Sequence, residues 1–392
     1  MSKLPEGSRS RRAFVGGLTA SAAAFATGCA TRKQTVKPAP SPPDSTAGTG
    51  SLREHAAAHG FLYGCAVDIN SMRRDDGYAT LVHEQAAIVV AENAMKWAPM
   101  RPSIDTWFFD DADWLVAFAE ARHTKVRGHN LCWHRQLPKW FASEATVANA
   151  RGLLVAHVER VVSRYAGRMH SWDVVNEAVH VGDGRGDGLR DSPWLRLVGE
   201  DYIEQTFRAA RNADPQALLA YNEYGIEGSD PGSEQKRAAV LTLLRRLKAR
   251  NVPVDALGIQ SHITAGHSYG LGLVNFMAAV RGLGLQIFIT EMDVNDRLWP
   301  ANEAIRDKVV AESYGSYLDL VLREPAVRVV MTWGITDRRT WLNGEDARAD
   351  HLPERCLPFG LKDGVRDAPK EAFFTMRNSF DRRPTTPAPR GL

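Results

Sequence analysis

Eight short apolar or β-branched runs recur along the middle of this 392-residue chain, with helical stripes between them. The runs are Phe61–Val67, Ala87–Ala91, Lys125–Leu131, Met169–Val175, Leu218–Asn222, Ala256–Gln260, Leu285–Thr290 and Val327–Trp333. Leu154, Val158, Val161 and Tyr165 form one stripe, and Val310, Tyr314, Tyr317, Leu318 and Val321 another. Val240, Leu243, Leu244 and Leu247 follow the i, i+3, i+4, i+7 spacing of a helix with one buried face. Alternation of the two periods implies parallel βαβ units, because parallel neighbours need a crossover between them. Eight such strands predict an α/β fold, a closed (β/α)8 TIM barrel. A barrel of this kind commonly takes about 250 residues and tolerates insertions. The block 51–381 has no linker-like break and reads as one domain.

The flanks have a different composition. Pro38, Pro40, Pro42 and Pro43, with Ser, Thr and Gly, make residues 29–50 a disordered tether, and 382–392 a similar tail. Ser10-Arg11-Arg12-Ala13-Phe14 resembles a twin-arginine export signal, followed by a weakly apolar run from Ala13 to Ala26 that is too short to span a bilayer. Ala26-Thr27-Gly28-Cys29 resembles a lipobox without its usual Leu, so residues 1–28 are expected to be removed and Cys29 to be the first mature, lipidated residue. The expected address is the periplasm or the cell-envelope membrane, through a tether at Cys29, or release from the cell.

The formal net charge of +3 is carried by Lys3, Arg9, Arg11 and Arg12 against Glu6, so the chain beyond Cys29 is about neutral. That argues against a nucleic-acid partner, which calls for a basic face. It is compatible with a neutral polymer. Cys65, Cys132 and Cys356 are an odd set and a poor disulfide framework; Cys65 and Cys132, in apolar runs, are expected to be free, buried thiols.

Two of the strand runs close on a glutamate: Trp172-Asp173-Val174-Val175-Asn176-Glu177 and Ile287-Phe288-Ile289-Thr290-Glu291-Met292-Asp293. Catalytic groups of (β/α)8 barrels sit at the C-terminal ends of strands. Two carboxylates on different strands are what glycoside hydrolysis needs, one to protonate the leaving oxygen and one to attack or to activate water. Glu92-Asn93-Ala94-Met95-Lys96-Trp97 after the second run offers a carboxylate, an amide and an ammonium that can grip sugar hydroxyls. Trp333 and Trp341 after the eighth run suit stacking on pyranose faces. His129 and His134 are spaced as zinc ligands could be, but there is no His-Glu-x-x-His and no clustered third ligand, so no metal is assigned.

These motifs, with Arg127-Gly128-His129-Asn130-Leu131-Cys132-Trp133-His134-Arg135-Gln136, Tyr221-Asn222-Glu223-Tyr224 and Gln260-Ser261-His262, stand in an order that resembles the family 10 glycoside hydrolases, the endo-β-1,4-xylanases. The resemblance runs from about Phe61 to Phe380. It implies that Glu177 is the acid/base and Glu291 the nucleophile of a retaining double displacement on xylan and xylo-oligosaccharides. It implies that Glu92, Asn93 and Lys96 bind the sugar two subsites from the cut, on the non-reducing side. His129, Trp133, Gln136, Gln260, Trp333 and Trp341 would line the sugar sites, and Asn176 would bond the 2-hydroxyl. Tyr224 would face the leaving group and Asn222 would support the acid/base. His262 would orient Glu291, with Asp293 holding His262. Glu223 departs from the more usual Asp, and Thr340 from the usual Ser. Trp172 is expected to be core or wall, and Trp107 and Trp114 core. No cofactor is implied, and a monomer is expected. A retaining barrel hydrolase acting on β-glucan shares the Asn-Glu logic. A tethered xylan-binding protein without catalysis is the reading from another class, and the intact set of Glu177, Glu291, His262, Asn176 and Asp293 speaks against it.

Overall fold

The computed structural model describes residues 50–344, 347–362 and 364–384. The signal segment, Cys29, the tether up to Thr49 and the tail from 385 lie outside the described residues.

The strands are β1 Leu62–Val67, β2 Ile88–Ala91, β3 Lys125–Gly128, β4 Ser171–Asn176, β5 Leu218–Glu223, β6 Ala256–Ile259, β7 His262–Thr264, β8 Gln286–Asn295 and β9 Val327–Thr332. Neighbours in sequence pair in parallel from β1 to β6, β6 pairs with β8, β8 with β9, and β9 returns to β1. The ring is therefore closed and eight-stranded, as the periodicity predicts. β7 is a short resumption of β6 beyond Gln260 and Ser261. It pairs with the far half of β8, His262 against Asp293.

This pairing changes one expectation. Glu291 does not end its strand; β8 continues through it to Asn295, because β7 supplies a second partner past the rim of the ring. The other predicted runs differ from the strands by one to three residues at an end; Leu218–Asn222 stops one residue short of β5, and most of the rest overshoot.

Alternation along the strands separates two cores. Ala66, Ile88, Val90, Ala220, Ala256, Phe288, Val329, Met331 and Trp333 cluster apart from the larger cluster that packs strands on helices, and they fill the barrel. Tyr63, Cys65, Val89, Trp172 and Ile287 face outward into that larger cluster, among the helices. Trp172 is thus a wall residue. The predicted stripes fall on the helices Ala150–Arg164, Pro231–Ala249 and Glu303–Val321, and their apolar members are buried. Asp230 caps the second of these, accepting the Ser233 N–H at 3.0 Å, with Pro231 in the first turn. Cys65, Cys132 and Cys356 are free and buried.

Trp107 and Trp114 are not core residues. Both are half-buried at the periphery, under cations: Arg101 and Arg160 each lie 4.7 Å from the Trp107 ring, and Arg73 lies 5.1 Å from Trp114.

Small residues allow the closest strand approaches. A Cβ at Gly64 would lie 1.9 Å from the Ile88 carbonyl oxygen, and one at Gly258 would lie 2.1 Å from Asn222 Oδ1. Polar groups also enter the interior. Arg127 on β3 forks onto both carboxylate oxygens of Asp173 on β4, and each side chain is 1% exposed. Removing one partner of such a pair strands a buried charge, at a cost of about 3–5 kcal/mol. Arg127→Ala should lower stability by about that much in urea unfolding, whereas Arg382→Ala, which breaks an exposed pair with Asp319, should cost under about 1 kcal/mol.

Candidate active site

Because all ring strands run the same way, their C-terminal ends meet at one mouth. Asn176 ends β4 and Glu177 follows it. Asn222 lies on β5, Gln260 follows β6, His262 opens β7, Glu291 and Asp293 lie on β8, and Trp333 follows β9.

Glu177 turns out of the strand direction in the left-handed region, φ 58°. Its N–H donates to the Asn222 carbonyl at 2.9 Å, which holds that turn. Its Oε1 accepts from Gln260 Nε2 at 3.0 Å and from Asn176 Nδ2 at 3.2 Å. His134 Nδ1 stands 3.9 Å from Oε2. Burial raises the Glu177 carboxyl above the ordinary glutamate value; the Gln260 bond opposes this, and the charges of Glu223 and Glu291 add to it.

Glu291 sits in a different field. Burial pushes its carboxyl up, but the His262 hydrogen bond, the charges of His129 and His262 and the Asn222 amide outweigh this and hold it at about 2. His262 Nε2 lies 3.3 Å from Glu291 Oε2, and its Nδ1 lies 3.0 Å from Asp293 Oδ1. Burial works against the charged imidazole, but Asp293 and Glu291 raise it well above the ordinary histidine value. The other oxygen of Asp293 accepts from Trp341 Nε1 at 2.7 Å.

One expected role changes. The Asn222 side chain serves Glu291 and not the Glu177 carboxyl: Nδ2 donates to Glu291 Oε1 at 2.7 Å and to Asn176 Oδ1 at 2.8 Å. Thr290 Oγ1 donates to its Oδ1 at 2.8 Å and fixes the amide's orientation. Only the Asn222 backbone carbonyl reaches Glu177. A chain of amides, Asn176 and Asn222, thus connects the two carboxylates.

Lys96, Asn93, Trp133 and Trp333 also converge. Lys96 Nζ donates to Asn93 Oδ1 at 3.0 Å and stands 5.2 and 6.0 Å from the ring centres of Trp133 and Trp333. Burial lowers the Lys96 ammonium and raises Glu92; their mutual attraction opposes both shifts. His129 packs edge-on to Trp333 at 5.2 Å, and its Nδ1 lies 2.9 Å from Asp173 Oδ2. Trp333 is buried, whereas Trp341 is 37% exposed and offers a free face at the mouth. Gln136 is exposed, and among the described residues no hydrogen bond ties its side chain to the carboxylates.

On the other side of Glu177, Tyr224 accepts from Arg190 Nη2 at 3.0 Å and lies under Lys236 Nζ at 3.5 Å. Glu223 is fully buried and pairs with Lys236 at 2.8 Å. The sequence reading assigned no role to Asp173, Arg127, Arg190, Lys236 or Thr290. Asp173 and Arg127 carried a usable signal, a charge inside an otherwise apolar strand. Arg190 and Lys236 carried none, since a loop arginine and a helix lysine are ordinary surface residues.

The profile described as Glycosyl hydrolase family 10 matches residues 51–378. The chain is 35% identical over 304 residues to endo-1,4-beta-xylanase A of Thermoanaerobacterium saccharolyticum, covering 73% of this chain and 25% of that protein. It is 36% identical over 271 residues to endo-1,4-beta-xylanase B of Thermotoga neapolitana, covering 68% and 75%. The crystal structure of xylanase 10B from Thermotoga petrophila RKU-1 in complex with xylobiose superposes with a TM-score of 0.76 at 33% identity, over 85% of this chain and 98% of that one. Three of the curated relatives are much longer proteins, of which the chain spans 25–28%. With a profile match over nearly the whole barrel and these relatives, the chain belongs to glycosyl hydrolase family 10.

Proposed function

We propose that this protein is a retaining endo-1,4-β-xylanase in which Glu291 is the nucleophile and Glu177 the acid/base. The observation that carries the reading is that the two carboxyls share one mouth in opposite surroundings: Glu291 bonded by Asn222 Nδ2 at 2.7 Å and by His262 Nε2 at 3.3 Å, which favours its charged form, and Glu177 buried beside Glu223 and Glu291, which favours its neutral form. Two titratable groups pushed apart in this way take the two roles of a double displacement. Glu291, ionised and steered by His262 and Asn222, attacks the anomeric carbon. Glu177, still protonated, gives its proton to the leaving oxygen. It then accepts a proton from the water that releases the xylosyl group, with net retention. Asn176 stands next to Glu177 to bond the 2-hydroxyl, and Lys96, Asn93 and Glu92 take hydroxyls of the next sugar. Trp341 presents its open face to a pyranose ring, and Tyr224 faces the leaving group. Such chemistry needs no metal and no organic cofactor.

The test is turnover of unsubstituted xylan and of carboxymethylcellulose, reading product sizes. Short xylo-oligosaccharides from xylan and little from cellulose support the proposal. Glu291→Ala should abolish turnover while keeping oligosaccharide affinity; affinity lost together with turnover would deny it the nucleophile's role. Glu177→Ala should lose about 10²–10⁴-fold on xylan, the usual worth of general acid-base catalysis. Azide should restore its turnover of an activated aryl xyloside and give a β-xylosyl azide.

The ionisations also set a pH window. Activity falls when Glu291 takes up a proton and when Glu177 loses one. The acid limb of kcat/KM should therefore lie below the ordinary glutamate value, at about pH 2, and the basic limb above it. An acid limb at or above about pH 4.3, the unperturbed value, would contradict the depressed Glu291.

We further propose export through the twin-arginine route and lipidation at Cys29. The support is the order of Arg11-Arg12, the apolar run and Ala26-Thr27-Gly28-Cys29. Metabolic labelling with a radioactive fatty acid should mark the protein and not its Cys29→Ala variant; an unlabelled wild-type chain in the envelope would remove the lipid and leave the export.

A further inference from the structure

Glu177 holds a backbone conformation that a residue with a side chain disfavours, φ 58°, and such conformations persist only where the surroundings over-determine them. Its N–H is fixed by the Asn222 carbonyl at 2.9 Å. Its carbonyl is fixed by a side chain from 13 residues downstream: Arg190 Nε donates to Glu177 O at 2.8 Å. The same guanidinium donates through Nη2 to Tyr224 Oη at 3.0 Å. One planar group therefore joins the backbone of the acid/base to the tyrosine on the leaving-group side.

The loop that carries Arg190 is closed on itself. Val179 and Leu189 form an antiparallel bridge, His180 N–H donates to the Gly188 carbonyl at 3.0 Å, and Arg190 N–H donates to the Ala178 carbonyl at 2.7 Å. Asp183 accepts the Asp191 N–H at 2.8 Å. The glycine-rich stretch 182–188 is the far end of this closed loop, and its neck adjoins Glu177. From below, buried Glu223 accepts the Val179 N–H at 3.1 Å and the Tyr221 hydroxyl at 2.5 Å, and it holds the Lys236 ammonium that covers the Tyr224 ring. Residues 177–179 are thus clamped at the Glu177 carbonyl by Arg190 and at the Val179 amide by Glu223.

Resting on the acid/base reading of Glu177, we infer that Arg190 is a positioning residue for proton transfer, holding Glu177 and Tyr224 in one geometry on the leaving-group side. A guanidinium suits this because its rigid fork serves two acceptors in different directions, and a lysine ammonium is a single point charge on a flexible stem. Without it, the strained turn loses one of the bonds that fix it, and the carboxyl is aimed less well at the leaving oxygen. The loss falls on steps that need the proton.

The test measures kcat/KM, which reports the first step, on β-xylobiosides whose leaving groups range from 2,4-dinitrophenol to phenol. Wild type, Arg190→Ala, Arg190→Lys and Glu177→Ala are compared, with thermal unfolding to confirm that each is folded. Dinitrophenolate leaves without a proton; phenol needs one. Arg190→Ala should lose about 30-fold on the phenyl substrate, a part of the 10²–10⁴ available to general acid catalysis, and no more than about 3-fold on the dinitrophenyl one. Arg190→Lys should fall between it and wild type. Equal losses on both substrates would reduce Arg190 to a structural residue, and no loss would remove its role. A wild-type Arg190→Lys would overturn the two-acceptor argument. If Glu177→Ala itself shows no dependence on the leaving group, the acid/base reading fails; if it does and Arg190→Ala does not, only this inference fails.

Discussion

Parallel pairing closed into a ring is the constraint on which the rest of this molecule depends. β1 returns to β9 and β6 pairs across to β8, so no ring strand keeps an open edge and every strand points its C-terminal end at the same mouth. Residues 176, 222, 260 and 291 are far apart in sequence, yet their side chains exchange hydrogen bonds within that mouth. The interior must then accept polar side chains from several strands at once. It does so by pairing: Arg127 with Asp173, Asn222 with Thr290, His129 with Asp173. Buried polar groups are tolerable only when satisfied in this way.

The same mouth gives two chemically identical side chains different lives. Glu291 is surrounded by the donors of Asn222 and His262 and by the charged His262 imidazole, which favour the charged form. Glu177 is buried beside two other carboxylates, Glu223 and Glu291, which favour the neutral one. The difference arises from what neighbouring strands contribute and not from either glutamate's own segment. Asn222 is central to it, since one amide donates to Glu291 and, through Asn176, reaches the group that touches Glu177. Gly258 leaves the space that this amide occupies.

Much of this was legible in the chain. All eight ring strands were placed from apolar runs, because strands buried on both faces read as continuous hydrophobic stretches. The glutamates, His262, Asp293, Asn176 and the Lys96 group could be picked out as candidates because they stand in compact motifs on or just after the strands, and the fold brings Glu177, Glu291, His262, Asp293 and Asn176 to one mouth. The extension of β8 past Glu291 was not legible, because it depends on pairing with β7, a three-residue strand with no periodicity of its own. The contact of Asn222 with Glu291 was not legible for a related reason: the resemblance implies only that Asn222 supports Glu177, which its carbonyl and Asn176 reach, and the direction of its side chain toward β8 depends on how β5 and β8 lie in the ring. Trp107 and Trp114 show the limit of composition, since a large aromatic can be satisfied at the periphery when arginine stems cover it. Arg190 and Lys236 owe their importance to where a loop and a helix end up, which no local pattern records.

The hydrogen bond from the Trp341 indole to Asp293 has an optical consequence. Asp293 is shared with His262, and His262 with Glu291, so a fluorophore at the mouth is wired to the ionisation of the carboxylate. The indole's emission is sensitive to the charge on its hydrogen-bond acceptor. Among the ten tryptophans, Trp341 is therefore the one whose emission is coupled by hydrogen bonds to the Asp293–His262–Glu291 chain behind it.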